Sequence, residues 1–396
     1  MNRGRFAGFA IAAAIMLLDG FDIVAMSLAA PHVMPQFGLS PGSMGVVFSA
    51  LLVGLGLGSM LLGPLGDRFG RRPTVLGGAA LLALTTLATI ASDGVLEFAA
   101  WRFATGLALG LCLTNTTAMV AELSPPARRA ATVALVSAGM PLGVVAAGLL
   151  APWLVERGGW KLIFLAPGIA AALVALCAWA WLPETRAEQR SGEPNTAARG
   201  HLLSRLLQAP LRGRLIHFAA FFGTSAAAMY WFTNWLPVVL PQAGYETSVA
   251  AHYLSLAQGG SIAAGVGIGW LIDRGWVRSS FAVCYVVVLV ALGLFLIFPP
   301  AHWAVLVLVA GGGIAGAHTA IVPLAAKGFP SDVLASAIGI CVAATRIGAI
   351  GGSMAGGQLL EAGFTPAQFF AAIAIPVACC LLLAQWRGES AIKVRQ

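Results

Sequence analysis

Long, nearly uninterrupted apolar runs are the feature that most constrains how this chain can fold. Read against glycine, proline and charge punctuation, they number about twelve, and each approaches the roughly 20 residues that cross a bilayer as a helix. Only 10% of the 396 residues are charged and 59% are hydrophobic, whereas soluble proteins average about 25% charged and about 45–50% apolar. The runs do not alternate, which argues against a transmembrane β-barrel. We therefore predict an all-α integral membrane protein with about twelve transmembrane helices.

The apolar runs fall into two groups of equal size, separated by a polar stretch. The predicted helices span residues 6–30, 42–65, 74–92, 96–121, 130–154 and 160–182, and then 214–240, 250–272, 279–298, 302–326, 333–360 and 366–387. This pattern predicts an N-terminal six-helix part at 1–182, a cytoplasmic linker at 183–213 and a C-terminal six-helix part at 214–396.

Basic residues predict how the chain is oriented. With both termini in the cytoplasm, all but a few of the 23 Lys and Arg fall on the inner side, as the positive-inside rule requires. The net charge of +8 then reflects loops beside an anionic leaflet, and nucleic acid is not expected as a partner. We predict a multi-pass protein of a bacterial-type inner membrane. Catalytic motifs such as HExxH and GxSxG do not occur in the sequence, so we expect neither an enzyme nor a bound metal or cofactor.

A short motif, G-x-x-x-D-R, occurs at matching places after the second and the eighth predicted helices. The first copy supplies Gly63, Asp67, Arg68, Gly70, Arg71 and Arg72, and the second supplies Asp273 and Arg274. Such a repeat is expected when two helical bundles are related by an axis along the membrane normal. Charged groups at helix ends can pair in one conformation and separate in another, so we predict a conformational latch here. A plain positive-inside turn is the alternative.

These features, with Arg102-Phe103-x-x-Gly106-x-x-x-Gly110 in the fourth helix, resemble the major facilitator superfamily over essentially the whole chain. The resemblance implies two pseudo-symmetric six-helix bundles around a central cavity. It also implies transport by alternating access.

A narrower resemblance rests on four segments. They are Leu18-Asp19-Gly20-Phe21-Asp22, Ala121-Glu122-Leu123-Ser124-Pro125, Thr233-Asn234-Trp235-Leu236-Pro237 and the run from Ala344 through Arg346 to Gly352. Together they are similar to the aromatic acid:proton symporters, which import benzoate-type carboxylates. The resemblance implies functional roles for Asp19, Asp22, Glu122 and Arg346. After Phe329-Pro330 this chain lacks the basic residue usual in that family, which predicts a weaker latch in the second half.

Ionisable residues inside a membrane are costly and therefore indicate function. Asp19 and Asp22 are three residues apart and share one helix face, and Arg102 lies at about the same depth as Asp22. Close carboxylates raise each other's proton affinity and a neighbouring Arg lowers it, so this group can couple transport to protons. A static Asp22–Arg102 pair that only joins two helices is the alternative. Glu122 can carry protons as well, or can pair with the basic residues of the latch.

Arg346 lies near mid-membrane with no acid in its own helix. Its planar guanidinium suits a bidentate carboxylate ligand, and pairing with the acids of the first helix is the alternative. Further predicted substrate contacts are His318, Tyr230, Asn234, Asn115 and Gln258.

The sequence thus predicts a monomeric, proton-coupled symporter that imports an aromatic or similar small organic acid. The alternative is a proton-driven exporter of drugs or metabolites, for which Gly139-Met140-Pro141-Leu142-Gly143 in the fifth helix is the supporting motif. The same motif is also expected from close helix packing and a kink.

Overall fold

Residues 3–182, 204–209, 211–330 and 332–385 are described by the computed structural model, and in these ranges all of the regular structure is helical. Twelve of the helices are long and apolar enough to cross a membrane, which confirms the predicted fold class. They are α1 (Arg5–Phe37), α2 (Pro41–Phe69), α3 (Arg71–Ala91), α4 (Val95–Leu123), α5 (Pro126–Gly158), α6 (Leu162–Trp181), α7 (Leu211–Gln242), α8 (Thr247–Asp273), α9 (Val277–Leu294), α10 (Pro300–Ala326), α11 (Ser336–Glu361) and α12 (Pro366–Ala384). Most of the predicted linker, residues 183–203 and 210, lies outside the described residues.

Several helices differ from the predicted segments at their ends or are interrupted. The first was expected to end near residue 30, yet it continues to Phe37 through Pro31 and Pro35. A proline leaves backbone groups of its helix without their usual hydrogen bonds. In a membrane helix it is tolerated because neighbouring helices and hydroxyl side chains can satisfy those groups. A π-helical turn at Gly58–Leu62 interrupts α2. Within α5 the helix is interrupted at Ala138, where the segment Arg129–Ser137 ends and the segment Gly139–Gly158 begins.

Contacts along the chain define two compact units. One comprises Met1–Ser191, Thr233–Gly259 and Ser353–Gly363, and the other comprises Gly192–Phe232, Gly260–Gly352 and Phe364–Gln396. The first unit therefore holds α1 to α6 together with parts of α7, α8 and α11. The division into six-helix halves with a linker at 183–213 remains a prediction from the sequence repeat.

Glycines permit two close helix pairs in the first unit. On α4, a Cβ added at Gly106 would come within 2.7 Å of the Leu55 backbone nitrogen on α2. On α1, a Cβ at Gly20 would collide with the carbonyl oxygen of Met140, and Gly143 of α5 approaches the Leu17 carbonyl of α1 in the same way. Such close approach is typical of membrane helices, where packing replaces the hydrophobic effect as the driving force. The glycine-proline motif of α5 is thus used to pack α5 against the acidic segment of α1.

The second unit contains its own close pairs. Gly348 of α11 lies against the backbone of Gly223 on α7, and Gly312 of α10 lies against Gly260 on α8. Buried aromatic side chains pack together in the core of this unit, where the rings of Phe295 and Phe370 stack with their centroids 4.5 Å apart. The two α7 and α11 glycines fix the separation of the helices that carry Tyr230 and Arg346.

Candidate functional site

A buried ion pair connects α1 to α4. One terminal nitrogen of Arg102 lies 3.0 Å from Oδ1 of Asp22, and both side chains are 1% exposed. The other terminal nitrogen donates to the Asp22 backbone oxygen at 3.3 Å, and the guanidinium lies 5.4 Å from the ring centroid of Phe164 on α6. Oδ2 of Asp22 accepts from the Thr86 hydroxyl of α3 at 3.0 Å. The predicted Asp22–Arg102 contact is therefore present, with a third partner that the sequence did not indicate.

Asp19 lies one helical turn away and has a different environment. It is 1% exposed, and neither carboxyl oxygen has a hydrogen-bond partner among the residues the structure describes. The thiol of Cys112 on α4 is close enough to interact electrostatically with it. An ionised carboxylate in such a place costs several kcal/mol, by order of magnitude, unless it is paired. The two acids are therefore chemically unequal, although the sequence presents them as a pair.

The predicted latch in the first half centres on Arg71. Its guanidinium lies 2.5 Å from Oδ1 of Asp67 and 2.9 Å from Oε1 of Glu122. It also donates to the side-chain oxygen of Asn115 at 3.1 Å, while the Asn115 amide donates to the Gly63 carbonyl at 3.1 Å. The end of α2, the start of α3 and the end of α4 are joined in this way. Asn115, predicted to bind substrate, is completely buried here with both ends of its amide in use.

Other latch residues take supporting positions. Gly70 has φ 98°, a left-handed conformation that disfavours any residue with a Cβ, and it forms the turn from α2 to α3. Arg72 donates to the Trp179 carbonyl of α6 at 2.7 Å, whereas the Arg68 guanidinium lies over the Phe69 ring. In the second copy of the motif, the Arg274 guanidinium lies 3.3 Å from the centroid of the Trp270 ring.

Asp332 belongs to the segment in which a basic residue was missing. It forms an ion pair with Arg205, from the short described stretch between α6 and α7. The second half therefore has an ion pair near the start of α11 that the motif comparison did not indicate.

Arg346 and His318 lie in the second unit, on α11 and α10. Arg346 is partly exposed, and it forms no hydrogen bond or ion pair with any other residue that the structure describes. His318 places Nδ1 3.2 Å from the buried Ser225 hydroxyl of α7, and the Phe222 ring lies edge-on to its imidazole at 6.4 Å. The imidazole of His318 lies within range of an electrostatic interaction with the Arg346 guanidinium. Among the described residues, neither Arg346 nor His318 forms an ion pair with an acid.

Asn234, another predicted substrate contact, is engaged in a buried helix junction. Its side-chain nitrogen donates to the Ser353 hydroxyl of α11 at 2.8 Å, and its backbone oxygen accepts from the Ser27 hydroxyl of α1 at 2.5 Å. The neighbouring Trp235 donates from Nε1 to the Ser353 carbonyl at 2.8 Å. Three helices of the first unit meet here, and the side-chain nitrogen of Asn234 is engaged in joining two of them.

Tyr230 and Gln258 complete the predicted set. Tyr230 is 8% exposed, and Gln258 is half-buried on α8 and takes part in contacts there. The residues that sequence reasoning missed are Thr86, Ser27, Ser225 and Ser353. Single hydroxyl side chains in apolar helices usually bond to the backbone of their own helix. The sequence therefore contains no signal for these four residues, and only the structure shows their partners on other helices.

The sequence matches the family model of the Major Facilitator Superfamily over residues 11–350. It is 30% identical to the gallate transporter of Pseudomonas putida, over 96% of this chain and 91% of that protein. It is 28% identical to the 4-hydroxybenzoate transporter PcaK of Pseudomonas putida, over 92% of this chain and 88% of that protein. Among solved structures, a D-xylose-proton symporter superposes with a TM-score of 0.74 at 19% identity, covering 98% of this chain and 99% of that one. At that identity the last comparison bears on the fold alone.

Proposed function

This chain belongs to the major facilitator superfamily and is a multi-pass membrane transporter, and on that premise we propose that it imports an aromatic or similar small organic acid together with protons. We further propose that it works as a monomer in a bacterial-type inner membrane, with both termini in the cytoplasm. The distribution of Lys and Arg in the sequence supports this orientation.

The observation that carries the proton-coupling proposal is the unequal environment of the two acids on α1. Asp22 is bonded by Arg102 and Thr86, whereas Asp19 is buried without a partner among the described residues. A protonated Asp19 is neutral and can be buried at modest cost, while an ionised one needs water or a cation. Asp19 therefore carries the proton in this conformation and releases it when the helices separate and water enters.

The proposed substrate class rests on Arg346 and on the relatives. A benzoate-sized anion that leaves water needs its charge met inside the protein. Arg346 offers a planar guanidinium that no described acid occupies, beside the imidazole of His318. The compared transporters of gallate and 4-hydroxybenzoate carry acids of this kind.

The exporter alternative has less support. Its sequence motif, at Gly139–Gly143 of α5, is accounted for by close packing, since Gly139 and Gly143 lie against Met16 and Leu17 of α1. Small residues at such a contact are expected whatever the direction of transport.

Uptake into proteoliposomes tests the proposal. The full chain, reconstituted and given an inward proton gradient, should accumulate radiolabelled 4-hydroxybenzoate or gallate above equilibrium. A protonophore should abolish the accumulation but allow exchange of labelled for unlabelled acid. Equal uptake with and without the gradient contradicts proton coupling, and failure of a panel of aromatic and aliphatic carboxylates contradicts the substrate class.

A further inference from the structure

One buried threonine in the second half of α3 uses its hydroxyl differently from its two buried neighbours. Thr85 donates to the Leu81 carbonyl at 2.9 Å, and Thr89 donates to the Thr85 carbonyl at 2.9 Å. Both bonds lie within the helix, one turn back, which is the usual arrangement for threonine in a helix. Thr86, which is completely buried, instead donates across to Oδ2 of Asp22 on α1.

The bond from Thr86 completes the donors around Asp22. Arg102 already donates to Oδ1 and to the backbone oxygen of Asp22, so among the described residues Thr86 is the donor to the other carboxylate oxygen. The ionisable groups near this carboxyl are Asp19 on the same helix and Arg102 on α4, with Cys112 of α4 beside Asp19. From α3 the contact to the carboxyl is the uncharged Thr86 hydroxyl, and the ring of Phe164 on α6 lies against the Arg102 guanidinium. Two donors, one on each oxygen, favour the ionised form of a buried carboxyl.

We propose that Thr86 is a positioning residue for proton coupling: its hydroxyl, together with Arg102, holds Asp22 as the fixed carboxylate, so that Asp19 is the group that takes up the transported proton. The inference rests on the proposed function, in which the α1 acids carry the proton. It adds that the two acids have different roles, and that Thr86, which lies outside the acidic motif, maintains the difference.

Infrared difference spectroscopy of the full chain in liposomes tests this directly, because a protonated carboxyl has its own C=O band. Asp22→Asn and Asp19→Asn should each remove one carboxyl band, and the missing band identifies the residue that was changed. Thr86→Val removes the hydroxyl while keeping a β-branched side chain. It should raise the midpoint pH at which the Asp22 band appears by about one unit or more, the size expected for one lost hydrogen bond to a charged group. Thr86→Ser keeps the donor and should leave the midpoint within a few tenths of a unit.

Thr85→Val is the matched control, since Thr85 is buried on the same helix and bonds only its own backbone. It should not move the Asp22 midpoint. If Thr86→Val lowers the yield of folded protein, Thr86→Ala removes the same donor and makes the same test. An unchanged Asp22 midpoint in either variant, or an equal shift in Thr85→Val, overturns the inference.

The spectroscopic readout needs no transported substrate. A chain that fails to accumulate any carboxylate therefore still reports whether Thr86 holds Asp22 ionised. Conversely, proton-driven uptake with an unmoved Asp22 band leaves the proposed function intact and removes Thr86 from it.

Discussion

At the scale of single residues, Asp19 and Asp22 are both aspartates on one helix, yet their environments differ. Asp22 pairs with a buried guanidinium, and removing one partner of such a pair typically costs about 3–5 kcal/mol because the other charge is left unpaired. Asp19 has no described partner to lose. An amide at position 19 imitates the neutral carboxyl, whereas an amide at position 22 isolates Arg102.

We therefore expect Asp22→Asn to lower the thermal stability of the purified protein markedly, and Asp19→Asn to leave it near wild type. Tryptophan fluorescence during heating measures both. The double variant Asp22→Asn with Arg102→Gln should recover part of the loss, because no buried charge remains. Equal melting of the two single variants would contradict the difference in environment described for the two acids.

Arg346 is the second residue whose chemistry can be separated from its charge. Arg346→Lys keeps the cation but loses the planar fork, so binding of 4-hydroxybenzoate should weaken by about 1–3 kcal/mol. Arg346→Ala should weaken it further, since the carboxylate charge is then unmet. Isothermal titration calorimetry of the purified variants measures this, with the uncharged amide of the same acid as control. The amide should bind poorly to wild type and lose little more in either variant. Normal acid binding in both variants would move the anchor to another residue.

At the scale of elements, the helices were predictable and their junctions were only partly so. Apolar runs determine where helices cross the membrane. The twelve spans predicted from the sequence agree with those of the structure except at helix ends, such as Phe37 of α1. The Asp22–Arg102 contact followed from equal depth in neighbouring helices. Asn234 was predicted to contact the substrate, yet its side-chain nitrogen donates to Ser353, 119 residues away in the chain. A polar side chain shows its type in the sequence, but only the packing shows which partner it meets.

Asn115 and Glu122 on α4 differ in how far the sequence indicated their partner. Asn115 was predicted to contact substrate, and Glu122 to carry protons or to pair with the basic residues of the latch. Both contact Arg71, 44 and 51 residues earlier in the chain. We propose that they belong to the latch, because Arg71 connects them with Asp67 and the end of α2. The sequence indicated Arg71, Asp67 and, as one alternative, Glu122 as members of the latch, but it did not indicate that Asn115 accepts a bond from Arg71.

The contact between α1 and α5 gives a prediction at this scale. Gly20→Ala places a methyl group against the Met140 carbonyl, so α5 must move away from the acidic segment of α1. We expect a lower melting temperature and slower proton-driven uptake. Gly77→Ala on α3 is the control, because a Cβ there meets no atom within 4 Å. That variant should be at least as stable as wild type, since alanine favours helix over glycine. A Gly20→Ala protein as stable as Gly77→Ala would show that the two helices are not closely packed.

At the scale of the whole molecule, the direction in which protons move with the acid distinguishes the two proposed kinds of transport. Symport brings protons in with the substrate, whereas a proton-driven exporter moves them the opposite way from its cargo. We expect that adding 4-hydroxybenzoate to de-energised cells that produce the protein alkalinises a weakly buffered medium. A pH electrode measures this.

Passive entry of the undissociated acid also alkalinises the medium, so the protein's contribution must be isolated. At pH 7.5 a carboxylic acid with an ordinary pKa of about 4 is almost wholly ionised, which keeps passive entry small. Cells without the protein supply the background, and cells with Asp19→Asn should match that background although the variant reaches the membrane. If Asp19 carries the proton, the neutral amide can exchange acid for acid but cannot bring protons inward. Acidification on substrate addition would support the exporter, and a wild-type response from Asp19→Asn would place the transported proton on another group.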